Sequence, residues 1–156
     1  MVKFIKMTNK EFKNYYDYAV NNYAKEKIRA GNWSKENAKE LSRKTFQKLL
    51  PKGLETKNNY LYSIYNENNH IGYIWFKINH DNYKVIFLCD IVILNEYRGI
   101  GYGTETMKLF ERKAKELDCN KIQLHVFNHN TAAVSLYKKL DYEITNIRME
   151  KDINQE

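Results

Sequence analysis

Val85-Ile86-Phe87-Leu88-Cys89-Asp90-Ile91-Val92-Ile93-Leu94 runs directly into Asn95-Glu96-Tyr97-Arg98-Gly99-Ile100-Gly101-Tyr102-Gly103-Thr104, and the reading of this stretch decides the fold. The first half, mostly β-branched or large apolar residues, predicts a buried strand. From Tyr102 to Leu117 the apolar residues Met107, Phe110, Ala114 and Leu117 recur at helical spacing, so the junction is a strand-to-helix turn. Glycine admits positive φ and leaves no Cβ in the way of a ligand. The first turn of a helix adds unpaired N–H donors and the positive end of its dipole. Arg98, Gly99, Ile100, Gly101, Tyr102, Gly103 and Thr104 therefore make an anion cradle suited to phosphate or pyrophosphate.

Working outward toward the C-terminus, Lys121 to Phe127 alternates apolar and polar residues and predicts a strand. With a helix between it and the central strand, the two should run parallel as a right-handed βαβ unit. A helix over Asn130 to Leu140 and a last strand over Tyr142 to Met149 complete the chain. Toward the N-terminus, Val2 to Met7 reads as a strand, and Thr8-Asn9-Lys10-Glu11 is a capping box opening a helix to Ala30, stopped by Gly31. Ser34 is the expected N-cap of a second helix that Pro51 and Gly53 end. Leu61 to Tyr65 and Ile71 to Ile78, with turns at residues 66–69 and 80–82, form a meander into the central strand. The expected fold is α+β, a mixed and mainly antiparallel sheet flanked by helices in β-α-α-β-β-β-α-β-α-β order, with residues 1–156 as a single domain.

A chain of 156 residues buries a real core without staples. Its two cysteines, Cys89 and Cys119, lack metal-ligand spacing, and the N-terminus lacks a long apolar segment. Reduced thiols in a cytoplasmic protein are expected, with no metal and no membrane span. The net charge of +7 comes from lysines scattered along helices. That pattern describes a solvated surface with some attraction for a polyanion, and nucleic acid is not an expected partner.

With these residues in place the chain resembles the GNAT superfamily of N-acetyltransferases. Arg98-Gly99-Ile100-Gly101-Tyr102-Gly103 matches that family's pyrophosphate turn, and Val126-x-x-x-Asn130-x-x-Ala133-x-x-Leu136-Tyr137 its second motif. Asp141-Tyr142 stands where the family usually has Gly-Phe, and Asn95 replaces the usual proline. The resemblance implies acetyl transfer from the cosubstrate acetyl-CoA to an amine by direct attack in a ternary complex. It implies that backbone groups of Ile91, Val92 and Ile93 pair with the pantetheine arm, with Asn130 and Ala133 beside it, and that Tyr137 protonates the departing thiolate.

Asn130 and Tyr137 are two helical turns apart and share a face, although a core tyrosine beside Ala133 and Leu140 fits the same spacing. Three candidates stay open as the base that deprotonates the acceptor. His125 is at the position where some relatives carry a glutamate base, Asp90 is a carboxylate in an apolar strand, and a water chain is the third. Asp90 has a structural alternative too, a bond to a tyrosine or a backbone amide. His70 and His129 read as loop residues. A small-molecule or peptide amine would lie between the first two helices and the end of the central strand, with Tyr15, Tyr16, Tyr23 and Trp33 as candidate walls. A non-catalytic acyl-CoA sensor would keep the cradle without needing Tyr137. A dinucleotide domain fits poorly, because Thr106 replaces the expected last glycine. The sequence leaves a homodimer open.

Overall fold

The computed structural model describes residues 1–154. Strand β1 (Val2–Lys6) leads into α1 (Asn9–Arg29) and α2 (Ala38–Leu49). Strands β2 (Asn59–Asn66), β3 (Asn69–Ile78) and β4 (Val85–Ile93) follow, then α3 (Tyr102–Glu116), β5 (Lys121–Leu124) and α4 (Thr131–Lys139). The five-stranded sheet has the order β1-β2-β3-β4-β5. It is antiparallel except for the parallel β4–β5 pair, as a helix crossover requires.

Local chemistry explains the element ends. Thr8 accepts from the Glu11 N–H at 3.1 Å while the Glu11 carboxylate accepts from the Thr8 N–H at 2.9 Å, so the expected capping box starts α1. Helix α2 starts later than Ser34: the Ser34 carbonyl closes a turn with the Asn37 and Ala38 N–H groups, and Asn37 is the cap residue. A two-residue hairpin turn joins β2 to β3, with Glu67 at φ 56°. His70 belongs to β3 rather than to a loop, its Nε2 lying 2.9 Å from the Gly72 carbonyl.

The sheet divides the core in two. On one face Ile64, Ile74, Phe76 and Ile86 pack against Met107 and Phe110 of α3. On the other, Leu61, Trp75 and Val92 meet Tyr15 and Ala19 of α1 and Phe46 of α2. Each large apolar side chain buried this way contributes roughly 1.5–3 kcal/mol.

Two expectations are corrected. The last strand over Tyr142 to Met149 is absent from the described residues, which take no regular structure there. Tyr142 is anchored, its hydroxyl donating to Glu111 Oε2 at 2.9 Å and its ring packing on Tyr137. Beyond it the apolar residues change parity between Ile144 and Ile147, so no one face could be buried by a strand, and both side chains are exposed. Strand β5 is also shorter than expected, pairing with β4 only from Lys121 to Leu124. The cause lies in β4. Trp75 pairs with Asp90 but Phe76 with Leu88, so Cys89 is an extra residue. Such a bulge bends its strand and sharpens the twist, and residues 125–127 diverge from β4 beyond it.

Candidate active site

Past the bulge, β4 keeps β3 on one side and, among the described residues, has no strand partner on the other. The Leu94 N–H donates to the Ile71 carbonyl. Alternation along the strand then gives Ile91 and Ile93 the backbone groups that face the open slot. Val92 turns its backbone toward Tyr73 of β3 and its side chain into the core, so of the residues assigned to backbone pairing it is the one directed away from the slot. β3 approaches closely here: a Cβ on Gly72 would come within 2.0 Å of the Val92 carbonyl oxygen. Only glycine fits.

At the end of the slot the glycine turn takes the form the sequence implies. Gly99 and Gly101 have φ of 77° and 100°, the left-handed region, and Gly101 is the N-cap of α3. Among the described residues the N–H groups from Gly99 through Thr104 donate to no protein acceptor. A Cβ on either Gly99 or Gly101 would meet nothing within 4 Å, so the turn faces open space. Unpaired donors, left-handed glycines and a helix N-terminus together fit a pyrophosphate. Arg98 bends back instead, its Nε donating to the Ile93 carbonyl at 2.6 Å, which ties the cradle to the end of β4.

Helix α4 flanks this region, with Leu136 Cδ2 3.5 Å from where a Gly103 Cβ would stand. Asn130 caps α4, its Oδ1 accepting from the Ala133 N–H at 3.3 Å. That bond uses both groups in the helix start and leaves the Asn130 amide NH2 for a ligand. Tyr137 is buried, yet its hydroxyl bonds to no protein group among the described residues. Burial, followed by the charge of Asp90, pushes its pKa up to about 12. The hydroxyl therefore holds its proton at neutral pH.

The bulge turns Asp90 toward α1, where the fully buried Tyr15 hydroxyl donates to Asp90 Oδ2 at 2.7 Å. Burial raises the Asp90 pKa, while the Tyr15 hydroxyl and the Ile91 N–H oppose that rise by stabilising the carboxylate. Cys89 beside it has its thiol pushed up to about 12 by burial, so it is a poor nucleophile at neutral pH.

Asp90, Cys89 and His125 line one cavity of about 320 Å³ between α1, α2, β4 and the segment after β5. Both protein candidates for the base thus reach one space. His125 is exposed, its ring edge against Phe127 at 5.0 Å. Of the expected walls, Tyr23 lines the cavity. Trp33 stands behind Tyr23, ring to ring at 5.6 Å. Tyr15 is instead fully buried on Asp90, and Tyr16 packs between Phe12 and Phe46. One contact escaped the sequence reading: Glu26 of α1 meets His129 at 2.5 Å across the cavity rim. Nothing in the spacing of residues 103 apart signals such a pair.

Comparison with known proteins agrees with this geometry. The sequence profile of the Acetyltransferase (GNAT) family matches residues 19–142. The chain belongs to the GNAT family of acetyltransferases. Two uncharacterised N-acetyltransferases of Bacillus subtilis (strain 168) are similar over nearly their whole length. YycN is 34% identical over 149 residues, 94% of this chain and 96% of YycN. YdgE is 33% identical over 150 residues, 94% and 95% of the two chains. The crystal structure of YycN superposes with a TM-score of 0.95, covering 99% of this chain and 100% of that one at 32% identity. The PaiA N-acetyltransferase of Thermoplasma acidophilum, solved in complex with coenzyme A, shares the fold at 18% identity, with a TM-score of 0.70 and coverage of 95% and 93%. This GNAT chain is accordingly an acyltransferase of the acetyl-CoA-dependent class.

Proposed function

We propose that this protein transfers the acetyl group of acetyl-CoA to a primary amine by direct attack, with both substrates bound at once. The observation that carries the reading is a convergence on β4. The slot-facing backbone of Ile91 and Ile93 lies next to Asp90, whose carboxylate borders the cavity and whose charge reaches the Tyr137 hydroxyl. The cradle from Gly99 to Thr104 holds the pyrophosphate, and Arg98 braces it. An N–H of β4 polarises the thioester carbonyl.

The proton balance needs two groups. Attack forms a C–N bond and breaks the C–S bond, so the amine must lose a proton and the departing thiolate must gain one. Asp90 takes the first, directly or through a water, because Tyr15 holds it in place and burial makes it more basic than an ordinary carboxylate. Tyr137 gives the second from a hydroxyl that is still protonated at neutral pH. His125 has no comparable hydrogen bond to fix its ring among the described residues. Cys89 is too weakly acidic to serve as an acetyl carrier, which supports attack without an acyl-enzyme.

Initial rates of thiol release with both substrates varied test the reading. Intersecting lines are expected, and parallel lines with an acetylated protein in the mass spectrum would overturn direct attack. Tyr137→Phe keeps the ring and removes the proton, so turnover should fall roughly 10²–10⁴-fold with CoA affinity unchanged. Full activity in that variant would end the role given to Tyr137.

A further inference from the structure

The walls of the 320 Å³ cavity bear on which amine enters it. Tyr23, Phe46, Trp75, Phe87 and Phe127 surround the space with aromatic surface. Its volume is at the low end for small-molecule sites, which favours a compact ligand. Charge narrows the choice further. The cavity carries two carboxylates, and each already has a partner: Asp90 accepts from Tyr15, and Glu26 is bound to His129. The remaining charged side chain is the Lys77 ammonium, 5.8 Å from the Phe87 ring centroid, and it repels any second cation at that end. A polyamine or an aminoglycoside would bury several ammonium groups against aromatic rings and a lysine, without enough free carboxylates to pair them.

We infer that the acceptor is a compact monoamine whose body is apolar, aromatic or branched aliphatic, held by the aromatic walls with its single amino group at Asp90. The inference rests on the acetyl-transfer reading above and adds the class of acceptor. Aromatic surface rewards such a body strongly: each methylene buried there is worth roughly fourfold in affinity.

The test uses the whole protein saturated with CoA, titrated by calorimetry with 2-phenylethylamine, 3-methylbutylamine, spermidine and kanamycin. Both monoamines should bind at least ~10-fold more tightly than either polycation. Leu49, at the cavity edge and 37% exposed, supplies a second variable. Leu49→Glu adds an unpaired carboxylate at a site that tolerates a polar group, and it should shift the preference toward spermidine. Tighter or equal binding of a polycation by the unaltered protein, no binding of any amine, or a monoamine-to-spermidine affinity ratio that is unchanged in a folded Leu49→Glu protein would each overturn the inference. Thiol release with acetyl-CoA separates the two proposals. Monoamines that bind yet release no thiol would sink acetyl transfer to amines while leaving the class of ligand that the cavity takes standing. Brisk transfer to spermidine alone would do the reverse.

Discussion

Tyr15 shows how much one hydroxyl can control. The sequence leaves it between core packing and a wall of the acceptor site, because five aromatic positions in α1 exceed what one stripe can bury and spacing does not say which turns inward. In the fold it is fully buried and donates to Asp90. A base must be deprotonated to accept, so kcat/KM should fall as pH drops through the raised pKa of Asp90. The Tyr15 bond favours the charged form, and losing it lifts that pKa further. Tyr15→Phe should therefore move the acid limb of the kcat/KM profile to higher pH, and Asp90→Asn should abolish that limb. A limb unchanged in both variants would remove Asp90 from the reaction. The places of Tyr137 and Asn130 on α4 and of the glycines at the head of α3 were legible beforehand because motif spacing carries them. The partnership of Glu26 with His129 was not, since only tertiary packing brings them together.

At the scale of elements, two glycines do opposite jobs and can be told apart. Gly72 is where β3 and β4 come closest, and its missing Cβ prevents a collision with the Val92 carbonyl. Gly101 faces open space and is left-handed at the head of α3. Gly72→Ala should destabilise by about 1–3 kcal/mol in urea melts, the usual cost of overpacking. Gly101→Ala should cost only about 1–2 kcal/mol for the left-handed backbone, yet weaken CoA binding in calorimetry more than Gly72→Ala does. Equal CoA affinity in a folded Gly101→Ala protein would move the pyrophosphate elsewhere. Helix starts and the antiparallel meander were readable from caps, turns and alternation. The shortened β5 was not, because its pairing depends on a bulge that leaves no mark in composition, whereas the missing last strand follows from the broken alternation between Ile144 and Ile147.

Over the whole molecule, the sheet separates a core under α3 from a core under α1 and α2, and the proposed site opens where β4 and β5 part. A ligand that joins the cradle of α3 to the slot along β4 ties two elements together and should stabilise the fold. CoA at about 100 times its dissociation constant is worth ~2.7 kcal/mol, a rise in Tm of about 5–10 °C for a chain of this size. NAD at the same concentration should leave Tm unchanged, and an equal shift by NAD would contradict the cradle assignment. Element order for all but the final strand was legible because each helix and strand carries its own periodicity. The cavity proposed for the acceptor could be expected only as a region, since its walls come from segments far apart in the chain.

Cys89 acts on β4 as an inserted letter acts on a reading frame. Side chains in a strand alternate faces, so every residue after the extra one is read out of phase with those before it. Removing Cys89 alone would leave Leu88 opposite Phe76 and Asp90 opposite Trp75, each on the face it holds now; what would go is the kink of the bulge, and with it the bend that parts β5 from its neighbour. Spliced out, that single letter would leave every other word in place and close the gap in which a ligand could be read.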